Sequence, residues 1–280
     1  MGKYINPYTD FGFKKLFGEE ANKDLLIDFL NQLLPPRHQI ADLNFRNLEN
    51  LSDLAEERKA VFDIYCSAIS GERFIVEMQK AKVKNFKDRS LFYSTFPIRD
   101  QAQRGEWNFE LEAIYFVAIL DFEYDEAEER RKFRRDIALK DQDGDLFFDK
   151  LHFRFLQMPL FKKREHELET KFDKWCYFLK NLIDFEDIPS ILNEPIFRKA
   201  FGTAALVNLT SAQRSNYDRN LLDYWTTKSV LETAIEEAVK AALEKSKLEI
   251  AKNAISQGFD DATIAKLTGL SLEQIKKRRL

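Results

Sequence analysis

"RKAVFDIYC" (residues 58–66) turns through "SGE" (70–72) into "RFIVEMQK" (73–80), and no other stretch says as much about the architecture of this chain. Ala60, Val61, Phe62, Ile64 and Tyr65 surround a single acid, Asp63, as in a largely buried strand. Ser70-Gly71-Glu72 supplies turn residues, and Phe74, Ile75 and Val76 begin a second β-prone run that ends in Glu77-Met78-Gln79-Lys80. The two runs predict a β-hairpin. Strand side chains alternate faces, so Glu77 and Gln79 share one face while Met78 and Lys80 take the other. If Asp63 lies opposite Glu77, two carboxylates converge, and like charges that close repel unless a cation or a proton sits between them. Mg²⁺ suits such a place, because it takes oxygen ligands and leaves room for a phosphate oxygen.

At Asp63, Glu77 and Gln79 the chain resembles the PD-(D/E)XK nuclease superfamily, and specifically its Rpn-type branch of recombination-promoting nucleases, often labelled transposases. Asp63 matches the motif's aspartate and Glu77 its (D/E), while Gln79 stands where lysine is usual. A neutral amide orients water but offers no positive charge. "YTDFGFKKLFGEEANKDLLIDFLNQLL" (8–34) and "FKDRSLFYSTFPIRDQAQRGEW" (86–107) resemble the same branch, so the likeness covers roughly residues 4 to 124.

The resemblance implies an α/β, restriction-endonuclease-like three-layer core with a mixed sheet, and metal-dependent hydrolysis of DNA phosphodiesters linked to recombination or mobile elements. Asp63 and Glu77 would hold Mg²⁺ or another divalent cation, the Met78 carbonyl would add a ligand, and Gln79 would position the attacking water. Asp10 would lend a further acid from the first helix; its alternative reading is an N-cap for the Phe11–Phe17 helix. Arg89, Tyr93 and Gln101 match recurring positions that would face DNA. Equally, Tyr93 reads as core and Arg89 as an ion-pair partner. Lys80, a further candidate DNA contact, would replace the missing lysine only if a bulge rotated it.

With 280 residues, 44% hydrophobic and 32% charged, the chain reads as globular and is long enough for a full core. No apolar run approaches the roughly 20 residues of a membrane span and no signal-peptide pattern opens the sequence, so a cytoplasmic location is expected. Cys66 and Cys176 are too few for a disulfide framework, and His38, His152 and His166 lack zinc-ligand spacing. A net charge of −3 argues against coating nucleic acid by bulk electrostatics. From Arg58 to Arg104, however, ten Lys or Arg face five Asp or Glu, which favours a phosphate backbone near the acids.

The rest of the chain is read from its periodicity. Residues 10–34 fit amphipathic helices interrupted near Gly18 and stopped by Pro35-Pro36, and residues 83–104 fit a helix that Pro97 should kink or divide. "AIYFVAILDFEY" (113–124) reads as a central strand. The acidic run 123–129 meeting "RRKFRR" (130–135) reads as an exposed helix or loop, "DQDGD" (141–145) as a turn, and 146–161 as a strand. A long helix is expected from Ser229 to Gln257, with a seam at Leu231, Ile235, Ala238 and Ala242 that either self-associates or packs back on the globular part. The last segment reads as helix, Gly269 turn and helix, with Ile264, Leu267, Leu270 and Ile275 inside and Lys276, Lys277, Arg278 and Arg279 free to meet phosphates.

The expected organisation is a nuclease-like core (1–161), a helical C-terminal extension (162–257) and a helix-turn-helix-like tail (258–280). The leading function is a Mg²⁺-dependent endodeoxyribonuclease. Its rival is a nuclease-fold protein that binds DNA or a protein without cutting, a reading that a buried or bridged acid pair would favour.

Overall fold

The computed structural model describes residues 2–46, 62–102, 108–124 and 131–279. The expected strand residues Ala60 and Val61, most of the acidic run 123–129, and Arg58 and Arg104 lie outside them. The chain divides into two compact units, Met1–Tyr224 and Trp225–Leu280.

Around the central hairpin, the first unit runs α1 (Asp10–Phe17), α2 (Lys23–Asn31), β1 (Leu43–Phe45), β2 (Ile64–Ala68), β3 (Arg73–Gln79), α3 (Phe86–Arg99) and β4 (Ile114–Leu120). It continues with β5 (Arg134–Lys140), β6 (Leu146–Gln157), α4 (Lys171–Asn181), α5 (Pro195–Ala204) and the start of α6 (Ser211–Ser256). The six strands form one sheet in the order β1-β2-β3-β4-β6-β5. β2 and β3 pair antiparallel from Ile64↔Val76 to Ser67↔Arg73, whereas β3, β4 and β6 run parallel. Parallel strands need both faces covered, and β4 is buried at all seven positions.

The alternation of β3 sorts the layers. Phe74, Val76 and Met78 join one core with Phe13, Phe29, Trp175 and Phe201 of α1, α2, α4 and α5. Ile75 joins a second core with Phe116 and Phe155 of the sheet and Phe86 of α3, with Tyr93 and Phe96 packed against it. Helices on both faces of a mixed sheet make the three-layer α/β fold. Helices α4 and α5, expected as part of a separate extension, share the first core with the sheet.

Three local expectations are corrected and one short strand is added. Arg134 and Arg135, expected in an exposed helix or loop, open an edge strand that runs to Lys140, because pairing with β6 satisfies one edge while the charged side chains stay solvated. β1, only three residues long, carries too little pattern to be seen in the sequence. Helix α3 continues through Pro97 to Arg99 without dividing, since the proline falls in its last turn. Helix α6 begins at Ser211, 18 residues before Ser229, where Thr210 Oγ1 accepts the Gln213 N–H (3.2 Å) and Gln213 Oε1 accepts the Thr210 N–H (3.0 Å). Its first turns bury Tyr217 and Tyr224 in the first core.

The second unit contains the rest of α6, α7 (Asp261–Thr268) and α8 (Leu272–Arg279). Gly269 ends α7 at φ +71°, and Ser271 caps α8 through the Gln274 N–H at 3.2 Å. Ala251, Ala254, Ile264, Leu270 and Ile275 form its core. Leu267 is exposed instead of buried, because Thr268, one turn beyond Ile264, takes the inward position.

Candidate active site

β2 begins at Ile64, one residue short of bringing Asp63 into the ladder. Asp63 Oδ2 instead accepts the Met78 N–H at 2.6 Å, which fixes the carboxylate at the open end of the β2–β3 pair. In an antiparallel pair a residue's N–H and C=O point to the same neighbour, so the Met78 carbonyl faces the Asp63 side too. The Gln79 carbonyl points the other way and accepts the Asp121 N–H at 2.9 Å.

Glu77 is only 2% exposed. Its Oε2 accepts hydrogen bonds from Gln79 Nε2 at 2.8 Å and from Arg89 Nη2 at 3.2 Å. Its Oε1 is buried without a hydrogen-bond partner among the described residues. A buried carboxylate oxygen left unpaired is costly, and sites that hold cations or protons are where such oxygens survive. Burial lifts the Glu77 carboxyl to about 7, helped by the negative charge of Asp63 and opposed by Arg89 and Gln79. Asp63 is lifted to about 6, chiefly by burial; the Met78 N–H opposes this and the charge of Asp10 adds to it. The two carboxyls therefore resist ionising together unless a cation joins them.

Asp10 is the first residue of α1, and Thr9 is the N-cap, its Oγ1 accepting the Gly12 N–H at 3.0 Å; this corrects the capping alternative. Asp10 pairs with Lys14 at 2.6 Å. Among the described residues no three His, Cys, Asp or Glu side chains come together as a metal-holding group. Asp63 accepts the Met78 N–H and lies near enough to Glu77 for its charge to raise that carboxyl, so the oxygens available on this side of the hairpin are those of Asp63, Glu77 and the Met78 backbone. Two carboxylates and a carbonyl are hard ligands that fit Mg²⁺.

The other candidates divide by face. Arg89 lies with its guanidinium 5.2 Å from the Tyr93 ring centre, and Tyr93 packs edge-on against Phe62 at 5.1 Å. Gln101 braces the entry to β4, accepting the Glu112 N–H at 2.6 Å and donating to the Pro97 carbonyl at 3.1 Å. Lys80 is on the opposite side of β3 from Glu77, paired with Asp223 of α6. In the tail, Lys276, Lys277 and Arg278 are exposed, and the Arg279 side chain lies outside the described part. The Glu77–Arg89 contact spans twelve positions in sequence, and no local signal announces it.

The family model described as PD-(D/E)XK nuclease family transposase matches residues 7–234. The chain belongs to that family. Its nuclease-family fold supports a nuclease-like function. A second model, the C-terminal HTH domain of the Rpn/YhgA-like nuclease family, matches residues 244–279, so this stretch carries a helix-turn-helix domain. No curated protein and no solved structure matches the chain. Among the described residues no helix is long and apolar enough to cross a membrane.

Proposed function

We propose that the chain is a divalent-metal-dependent endodeoxyribonuclease, with Asp63 and Glu77 as metal ligands. The observation that carries this reading is the buried Glu77 Oε1, unpaired among the described residues, near a second, half-buried carboxyl, Asp63, with both carboxyls pushed up in pKa. Asp63, Glu77 and the Met78 carbonyl would hold Mg²⁺, and Asp10 would enter only by leaving Lys14. The ion supplies an activated water and stabilises charge on the phosphate. Gln79 orients water through an amide that now donates to Glu77, and Arg89 offers the positive charge that Gln79 lacks. Lys80, Tyr93, Gln101 and the tail cations Lys276 to Arg279 complete the proposed DNA contacts.

The binding-only reading draws on one observation, the Arg89 bridge to a buried Glu77, which partly neutralises the acid without metal. A plasmid-nicking assay with and without Mg²⁺, using the full chain and Asp63→Asn, separates the two. Cleavage that needs both Mg²⁺ and Asp63 is expected, and DNA binding without cleavage would favour the rival. Self-association through α6, whose Ile235, Val239 and Leu243 are exposed, belongs to the same proposal and is read by sedimentation.

A further inference from the structure

Helix α3 carries rings beside the acid pair that the proposed hydrolysis does not use. Phe62, next to Asp63, is buried and packs edge-on against Tyr93 and Phe96, at 5.1 and 5.8 Å. Phe96 meets Phe92 at 5.3 Å with the rings at 89°, and Phe92 is 52% exposed. The aromatic row therefore starts beside an acid and ends at water. Residues 89, 92, 93 and 96 follow helical spacing and share one flank of α3, with Phe92 about 4.5 Å along the axis from Arg89.

Cations edge this flank. Arg89 lies over Tyr93 and touches Glu77, and the Arg99 guanidinium lies 5.8 Å from the Phe96 ring centre. From Lys80 to Arg99 the sequence has six Lys or Arg and one acid, Asp88. Proteins that hold single strands combine such a cationic track with aromatic rings on which bases stack. A continuous duplex offers phosphates and groove edges, while its base faces are hidden in the stack. Only an unpaired strand presents a base face to a protruding ring.

We propose that the Phe92–Phe96 flank of α3 stacks a base of an unpaired DNA strand, so that the acid pair serves unpaired DNA in preference to continuous duplex. The inference rests on the nuclease reading and specifies its substrate.

The test uses full chains carrying Asp63→Asn in chelator, so that binding is read without cleavage. A short DNA oligomer with one 2-aminopurine, single-stranded or annealed to its complement, reports affinity by anisotropy and stacking by quenching. Single-strand binding with quenching is expected. Adding Phe92→Ala should remove the quenching and weaken single-strand binding by about tenfold, the scale of one lost base–aromatic stack, while duplex binding changes little. Phe92→Trp should keep both signals, which separates lost stacking from lost folding. Unchanged single-strand binding in Phe92→Ala, or equal loss on both DNA forms, would overturn the proposal, as would tighter binding of the matching RNA oligomer. Failure of the nuclease reading shows separately, as absence of Mg²⁺-dependent cleavage of the same single-stranded oligomer by the wild type.

Discussion

Replacing Glu77 by Gln should stabilise the metal-free protein above neutral pH and leave it unchanged in acid. Glu77 is almost fully buried, and burial together with the charge of Asp63 lifts its carboxyl from 4.5 to about 7. An acid whose folded pKa lies above its unfolded value binds more protons when folded. Stability therefore falls as pH rises from about 4.5 to about 7, and the full cost is present above that range. At about 1.4 kcal/mol per pKa unit, a shift of this size corresponds to about 3 kcal/mol as an upper figure. The substituted amide would have no charge to desolvate and could still accept from Gln79, while Arg89, with its side chain 36% exposed, would regain water. A gain of about 1–3 kcal/mol at pH 8 is expected, or several degrees in Tm for a unit of this size. Thermal unfolding followed by circular dichroism in chelator, from pH 4.5 to 8.5, measures it. Added Mg²⁺ should raise the wild-type Tm and not that of the variant. A variant no more stable than wild type at pH 8, or a difference independent of pH, would refute the electrostatic account of the site.

Asp63→Ala and Glu77→Ala should each abolish Mg²⁺-dependent nicking while the circular dichroism spectrum stays native; wild-type cleavage by either variant would reassign the site. Gln79→Lys puts a cation where the amide now lies 2.8 Å from Glu77 Oε2, so the acid limb of the cleavage pH profile should move down by about one unit. An unmoved limb would show that Glu77 does not set it. Deleting the chain from Asp260 onward should weaken DNA binding and flatten its salt dependence by roughly 0.9 per lost phosphate contact, and identical affinities across a salt series would rule out the tail as a DNA contact. Gly269→Ala, at φ +71°, should destabilise the second unit by about 1 kcal/mol in denaturant unfolding, and an unchanged midpoint would show that the left-handed cap carries no strain.

Much of this molecule is written in short-range pattern. Alternation around Ile75 and Glu77 is enough to predict the hairpin and to put Glu77 and Gln79 on one side, because side-chain direction in a strand depends only on parity. The tail is legible for a similar reason, since Gly269 and Ser271 act within one turn of their own backbone. Where the pattern is short or mixed, the reading fails. The three residues of β1 and the charged run of β5 become strands only because β2 and β6 supply their hydrogen bonds. The "TSAQ" capping box at Thr210 was a usable signal for the start of α6, but the polar residues around Tyr217 hid the helix that follows.

The candidate site divides along the same line. The sequence by itself determined the identity and parity of Glu77 and Gln79, the presence of Asp63 just before the hairpin's first strand, and the local excess of positive charge. The tertiary structure decided that Asp63 leaves the ladder to accept the Met78 N–H, that Arg89 reaches Glu77 from α3, and that Lys80 turns away to Asp223. It also left Glu77 Oε1 buried and, among the described residues, unpaired. Hydrogen bonding, desolvation and the repulsion between two acids depend on which distant segments exclude water from a given atom, and that is fixed only when the layers of the fold close around the sheet.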